Sequence, residues 1–306
     1  FCRAKAGKVS KPERIEFHVN HKSHRSQPKV RCRIRRVMCI LLALYVIACV
    51  GCAAFQRRML YYPTIESPVA LERLAADRGF ERWKNSTGRN MGWKRMAANQ
   101  PARGRVLVTH GNGGCSIDRV DFAKALSGFL AMDAFILEYP GFGDRPGVPS
   151  QRSLFESADD AFQDLPKIGP VYLLGESLGT GVAAHLAGMH SNEVSGVLLF
   201  APYNSLVDVA QYHVRILPAR WLMVDYFPSA EYLSHYRGPL AIVVGGKDRV
   251  VPEKFGRRLF DGYAGPKRLW KIPLGNHQSI DHQSAEFWNE VGAFWKGDPA
   301  HAPPFP

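Results

Sequence analysis

Over most of the chain, short apolar runs alternate with longer amphipathic stretches. Val106–Thr109, Ala134–Leu137, Val171–Leu174, Val194–Phe200, Leu240–Val244 and Leu269–Ile272 are brief, several are rich in β-branched residues, and most are closed by Gly, Pro or a polar residue. Such runs predict strands buried on both faces of a parallel sheet. Between them, Ile117–Leu130, Leu154–Leu165, Leu178–His190, Glu253–Tyr263 and Ser279–Trp295 carry helical spacing. Strand and helix in alternation imply an α/β architecture with helices on both faces of a mostly parallel sheet. The stretch from residue 56 to about Arg103 reads as a connection, and no internal repeat is visible.

A run of another kind lies near the front. Val37–Phe55 holds nineteen residues without a charge, preceded by Arg31, Arg33, Arg35 and Arg36 and followed by Arg57 and Arg58. As a helix it would be about 28 Å long, close to the roughly 30 Å of a bilayer core. A buried core helix would carry a polar stripe, and this run has none. The expected division is therefore a basic, disordered tail at 1–36, a transmembrane or lipoprotein signal segment at 37–55, a catalytic-sized domain at 56–296 with a lid-like insert at 203–238, and a disordered tail at 297–306.

With 306 residues, 46% hydrophobic and 22% charged, the chain has room for one sizeable core. Its formal charge of +13 raises the question of nucleic acid, but residues 1–36 hold twelve Lys or Arg against Glu13 and Glu16, which leaves about +3 for the rest. The folding part has no basic stripe with interleaved aromatics, so nucleic-acid binding is excluded. Cys2, Cys32, Cys39, Cys49 and Cys52 sit at the front and Cys115 is alone in the body, which rules out a disulfide within the domain. His18, His21 and His24 lack partners at metal-ligand spacing, and no glycine-rich phosphate loop or nicotinamide fingerprint occurs. No metal and no cofactor is expected. Phe1 opens a stretch with neither hydrophobic period nor turn logic, as a fragment edge or an over-extended reading frame would.

The chemistry-bearing residues fall at strand ends. Directly after Val171–Leu174 comes Gly175-Glu176-Ser177-Leu178-Gly179, opening onto a helical run. A G-x-S-x-G motif between strand and helix forms a tight elbow that exposes the serine hydroxyl, with Gly175, Glu176 and Gly179 shaping the turn. A serine hydroxyl needs a base to take its proton and an acid to orient that base. Asp248 follows the run Leu240–Val244, and His277 follows Leu269–Ile272 in Leu274-Gly275-Asn276-His277, giving the order Ser, acid, base. His282 and His301 are the rival histidines, and Asp225 is the next acid. Two backbone amides should receive an oxyanion. Leu178 supplies one, and the loop His110-Gly111-Asn112-Gly113-Gly114 supplies the other, from Asn112 or, second, Gly113; His110 is read as holding the loop.

From about Leu60 to Trp295 these motifs, with Tyr139-Pro140-Gly141-Phe142-Gly143 and Gly245-x-x-Asp248-x-Val250-Val251-Pro252, resemble the α/β-hydrolase superfamily, and most of all its membrane-anchored H-G-N-x-G group. The resemblance implies an eight-stranded, mostly parallel sheet with a short helical lid and hydrolysis of acyl bonds; lysophospholipases, acylglycerol lipases and protein depalmitoylases are of this kind. Arg145 stands where relatives often carry Ser, a departure that bears on substrate preference.

The leading expectation is a serine esterase or thioesterase acting on small-molecule or lipid acyl substrates. A peptidase of the same fold is the alternative, although the insert offers only Asp208, Asp225 and Glu231 to hold a substrate amine. A non-catalytic binding module is a third, less favoured because such modules lose a member of the constellation. Tyr212, Trp221, Tyr226, Phe227, Tyr232 and Tyr236 of the insert could line an acyl channel or simply pack on the sheet. The four arginines ahead of Val37 outnumber the two after Phe55, so the domain is expected on the extracytoplasmic side of a membrane. Val46-Ile47-Ala48-Cys49 also resembles a lipobox, in which lipid on Cys49 would replace the helix. Oligomeric state is not legible.

Overall fold

The computed structural model describes residues 28–98 and 101–297, with side chains from residue 31. The tails at 1–27 and 298–306, with Cys2, His18, His21, His24 and His301, lie outside the described residues. The chain divides into two compact units, one ending at Ala48 and one starting at Cys49.

The first unit contributes the beginning of α1 (Pro28–Leu60), a helix that starts ahead of Val37 and runs past Phe55. Its stretch Arg31–Leu60 is long and apolar enough to cross a membrane, with a mean hydropathy of 2.7 in its most apolar window.

The second unit is built on one eight-stranded sheet. Its strands are β1 (Glu81–Lys84), β2 (Asn90–Arg95), β3 (Arg105–Thr109), β4 (Asp133–Leu137), β5 (Val171–Glu176), β6 (Val194–Phe200), β7 (Leu240–Gly245) and β8 (Lys267–Ile272). They lie side by side in the order β1-β2-β4-β3-β5-β6-β7-β8. All pairings are parallel except β1 with β2 and β2 with β4. The six runs read from the sequence are β3 to β8. The two others fall in the stretch read as a connection. Each has too few apolar positions to announce itself, since Trp83 is the single buried side chain of β1, and β2 buries Met91 and Trp93 around Gly92. Gly92 is required there, because a Cβ would stand 2.1 Å from the Ile136 carbonyl oxygen at a φ of +140°.

Helices cover both faces. α3 (Val120–Gly128) packs with α10 (Ala285–Trp295), whereas α4 (Gln151–Asp164), α5 (Leu178–Met189) and α8 (Ser229–Leu233) pack together. The helix read from Ser279 starts later, capped by Ser284, so His282 precedes it. α2 (Pro68–Arg78) leads into β1, α6 (Leu206–His213) and α7 (Ala219–Leu222) lie in the insert, and α9 (Glu253–Gly262) follows β7. β3, β4 and β7 are buried along their whole length, which explains their unbroken apolar runs. Because β3, β5, β7 and β8 run parallel, the loops after them open on one edge of the sheet, the place where such folds build sites.

Between α4 and α5, Asp159 receives the Nε2 atoms of His185 at 2.9 Å and His190 at 3.2 Å. Burial pushes the Asp159 carboxyl up, but the hydrogen bonds and charge of the two histidines outweigh it and leave the group below its ordinary value. A lowered carboxylate stabilises the fold above its unfolded pKa of about 3.9 and loses that contribution as pH falls through the lowered value. Asp159→Asn is expected to cost roughly 1 kcal/mol at neutral pH, with the gap to wild type closing below about pH 4, as thermal unfolding at graded pH would measure.

Candidate active site

Ser177 stands between β5 and α5 at φ 50°, ψ −118°, a conformation costly for a residue with a Cβ. Its amide donates to the Phe200 carbonyl at 2.9 Å, which pins the turn to β6. The flanking glycines are forced by contact. A Cβ on Gly175 would lie 2.8 Å from the Gly179 oxygen, and one on Gly179 would lie 2.1 Å from the Thr109 oxygen. Thr109 closes the same contact from its side chain, its hydroxyl donating to the Gly179 carbonyl at 2.8 Å. The end of β3, the elbow and the start of α5 thus form one backbone-to-backbone joint.

The loops after β7 and β8 are knitted together by two amides: Gly246 donates to the Ile272 carbonyl and Lys247 to the Gly275 carbonyl, each at 2.9 Å. That pairing sets Asp248 beside His277. The Asp248 carboxylate is buried, with Oδ1 accepting from the amides of Val250 at 2.8 Å and Val251 at 2.9 Å, which turns Oδ2 toward Nδ1 of His277 at 2.7 Å. Asn276 holds the histidine loop through an Asx turn, its Oδ1 accepting from the amides of Gln278 and Ser279. Nε2 of His277 then faces Oγ of Ser177 at 2.9 Å. Such a chain of hydrogen bonds can draw the serine proton onto the imidazole while the carboxylate fixes the ring. His282 instead faces Asp121 at 3.6 Å. Asp225 takes no part in this chain of contacts; it is buried in its own network, accepting from Arg57 Nε and the Tyr61 hydroxyl, both at 3.0 Å.

The loop after β3 is held from below. His110 is fully buried, 3.4 Å from Glu138, and its carbonyl accepts from the Tyr139 hydroxyl at 3.0 Å. Arg119 donates to Glu176 and, at 3.2 Å, to the Gly113 carbonyl, tying the elbow to this loop. Burial draws the Arg119 guanidinium down, but the charge and hydrogen bond of Glu176 raise it above its ordinary value. Asn112 and Leu178 both line the cavity at Ser177. Gly113 is paired with Tyr62 in a two-residue parallel ladder and does not line the cavity. Arg145 is buried too, its Nη1 donating to the Glu138 carbonyl and the Ser157 hydroxyl, both at 2.6 Å, and burial pushes its pKa down to about 10. It therefore braces the turn rather than facing a substrate.

Ser177 lies in a cavity of about 490 Å³. The insert contributes aliphatic walls, among them Leu206, Val209, Leu217, Leu222 and Met223. Of the two roles open to the six aromatic residues of the insert, lining the cavity is not the one they take: Phe227 and Tyr236 are fully buried, Tyr232 packs on Phe155 and His185, and Trp221 faces outward. A further wall comes from the last turns of α1, through Cys52, Gln56, Met59 and Leu60. Nothing in the sequence signals this, because an apolar run followed by two arginines reads as the end of a span.

The family Hydrolase_4, described as serine aminopeptidase S33, matches residues 100–234. An uncharacterized protein of Mycobacterium tuberculosis, Rv2307c, is 32% identical over 255 residues, covering 81% of this chain and 89% of the relative. The alpha-beta hydrolase of Vibrio vulnificus superposes with a TM-score of 0.57 at 17% identity, over 73% of this chain and 84% of the other. The chain belongs to the α/β-hydrolase superfamily. This hydrolase is also similar to the lysophosphatidylserine lipase ABHD12 of Rattus norvegicus, 31% identical over 212 residues that make up 62% of this chain and 52% of the lipase, so that the match spans about half of that relative.

The joint at the elbow makes a sharp contrast between two glycines of the hydrolase. Gly179→Ala is expected to destabilise it by roughly 3 kcal/mol, because two backbones would have to separate. Gly113→Ala, whose Cβ would meet nothing closer than the Tyr62 oxygen at 3.9 Å, is expected to stay within about 0.5 kcal/mol of wild type in the same denaturant titration.

Proposed function

We propose that the chain hydrolyses carboxylic esters or thioesters of acyl substrates through an acyl-enzyme on Ser177. The observation that carries this reading is the hydrogen-bonded series Ser177, His277, Asp248, with steps of 2.9 and 2.7 Å, opening on a mostly aliphatic cavity. His277 Nε2 takes the Ser177 proton as Oγ attacks the acyl carbon, and Asp248 holds the Nδ1 proton and stabilises the imidazolium. The backbone amides of Leu178 and Asn112 receive the oxyanion, with the N-terminus of α5 adding a favourable dipole. His277 then returns the proton to the leaving oxygen or sulfur, and the same groups activate water to release the acid.

The cavity volume lies within the range of small-molecule sites, and its walls suit an acyl chain of short or medium length. The rat relative is named for a lysolipid, which supports a lipid acyl substrate. The name serine aminopeptidase in the family description keeps peptide bonds in view. Against that reading, the described cavity walls contain no Asp or Glu to hold a substrate amine, while Arg249 is the lysine- or arginine-type charge among them.

The length and apolar character of α1 support membrane attachment. The arginines at 31, 33, 35 and 36 favour a cytoplasmic N-terminus and an extracytoplasmic Ser177. A lipid on Cys49 would serve equally, because the second compact unit starts at that residue and retains the whole α1 wall of the cavity.

Ser177→Ala is expected to abolish labelling by a fluorophosphonate probe, and full labelling of the variant would reassign the nucleophile. Asp248→Asn should lower ester turnover by several powers of ten, the worked serine-protease equivalent costing about 10⁴. With the full chain in detergent, p-nitrophenyl esters of short and medium acyl length should give a kcat/KM at least tenfold above any peptide anilide; the reverse ranking would select the aminopeptidase reading. Protease added to spheroplasts should degrade the domain, and intact-mass measurement separates an uncleaved anchor from a lipidated Cys49. Recovery of the full-length chain in the soluble cytoplasmic fraction would refute both forms of attachment.

A further inference from the structure

The insert has two faces of opposite character within residues 214–224. Leu217, Ala219, Leu222 and Met223 line the cavity, whereas Ile216 and Trp221 are 81% and 88% exposed and Val224 is more than half exposed. A tryptophan held this far into water, with an exposed isoleucine five positions before it in the chain, is costly for a surface that meets only solvent. Arg215 and Arg220 are interleaved with these residues, and from 209 to 224 there is no acidic residue. Arg220 is partly engaged by Asp208 at 3.4 Å yet its side chain remains 73% exposed.

The same strip is clamped to the end of α1. Gln56 Nε2 donates to the Leu222 carbonyl at 2.9 Å, and its Oε1 accepts from the Val224 amide at 2.8 Å. One residue on, Arg57 makes its ion pair with the buried Asp225 carboxylate at 3.0 Å. This is the turn at which the apolar run gives way to Arg57 and Arg58, the kind of transition that lies at headgroup depth when a helix sits in a bilayer. Ile216, Trp221 and Val224 are therefore tied, within a few residues, to the point where the helix meets the interface. Tryptophan and arginine are the side chains that favour that depth.

We propose that the outer face of the insert, Ile216, Trp221 and Val224 with Arg215 and Arg220, docks on the surface of an anionic lipid bilayer, so that an acyl chain passes from the membrane into the cavity beneath the same strip. The proposal rests on the reading of α1 as a membrane segment and of the cavity as an acyl site. Charge complementarity selects anionic lipid over a neutral surface, because Arg215 and Arg220 are drawn to its negative headgroups and no acidic residue from 209 to 224 opposes them.

The full chain reconstituted in vesicles of phosphatidylcholine and phosphatidylglycerol with brominated acyl chains tests it by tryptophan fluorescence. Wild type is expected to show a bromine-quenched component that Trp221→Phe removes and that weakens when phosphatidylglycerol is left out. The double variant Ile216→Asp, Trp221→Asp, whose residues do not line the cavity, should turn over a medium-chain acyl ester embedded in the vesicles at least tenfold more slowly, with dispersed p-nitrophenyl acetate hydrolysed within twofold of wild type. An unquenched Trp221, quenching indifferent to phosphatidylglycerol, or a Trp221 environment that depends on protein concentration and not on lipid would overturn the proposal, the last by assigning the face to a second copy of the chain. Failure of the esterase reading itself would show separately, as a wild type that neither hydrolyses p-nitrophenyl acetate nor reacts with the fluorophosphonate probe.

Discussion

The close approach of two backbones, at Thr109 and Gly179, is the constraint on which the rest of the site depends. The start of α5 can reach the end of β3 only because neither Gly175 nor Gly179 carries a side chain, and that approach holds Ser177 at a positive φ with its hydroxyl turned toward His277. Strain at one residue is thereby sustained by contacts that a Cβ would destroy. The hydroxyl of Thr109 fastens the joint, and the ion pair of Arg119 with Glu176 extends it to the loop after β3, where Asn112 stands. Position of the serine and position of the nearest candidate oxyanion donors are thus set by the same packing event.

A second constraint works from the other side of the cavity. The last turns of α1 do more than join an apolar helix to the sheet, because Cys52, Gln56, Met59 and Leu60 form part of the wall around Ser177. Asp225 is the buried charge that makes this arrangement specific, since a carboxylate in that position requires Arg57 and Tyr61 as partners. Burial and the adjacent Asp225 charge hold the Tyr61 hydroxyl far above its ordinary range, so it serves as a donor to the carboxylate throughout the physiological range. A chain shortened to residue 57 would lose Cys52 and Gln56 and with them both the wall and the clamp to the insert.

Much of this was legible in the residue pattern, for identifiable reasons. Strands β3 to β7 lie inside the sheet, and their burial leaves short, largely unbroken apolar runs; β8 is an edge strand, only half-buried and interrupted by Lys271, and was legible from Leu269–Ile272 alone. β1 and β2 form an antiparallel hairpin at the other edge, where a few large residues such as Trp83 and Trp93 suffice, and Arg82 lies over the Trp93 ring at 4.2 Å instead of in solvent. No period could reveal them. Ser177, Asp248 and His277 were legible because each falls at a strand end in a motif whose turn chemistry is local. The insert was legible as an insert but not in its inward face, because aromatic content does not tell which side chains turn toward a cavity.

The sequence by itself determined what is local: the order of the central strands and helices, the elbow with its two glycines, the apolar segment flanked by arginines, and the serine, carboxylate and histidine that fall at strand ends. Each follows from a short stretch of chain whose periodicity or backbone demand is satisfied within a few residues. The tertiary structure alone decided what is distant. Only when the loops after β7 and β8 are paired does Asp248 meet His277, and only when the end of α1 folds against the insert do Gln56 and Arg57 meet Val224 and Asp225, each pair separated by 168 in residue number. Contacts of that separation are chosen by which surfaces can be buried together, and a linear pattern holds no record of that choice.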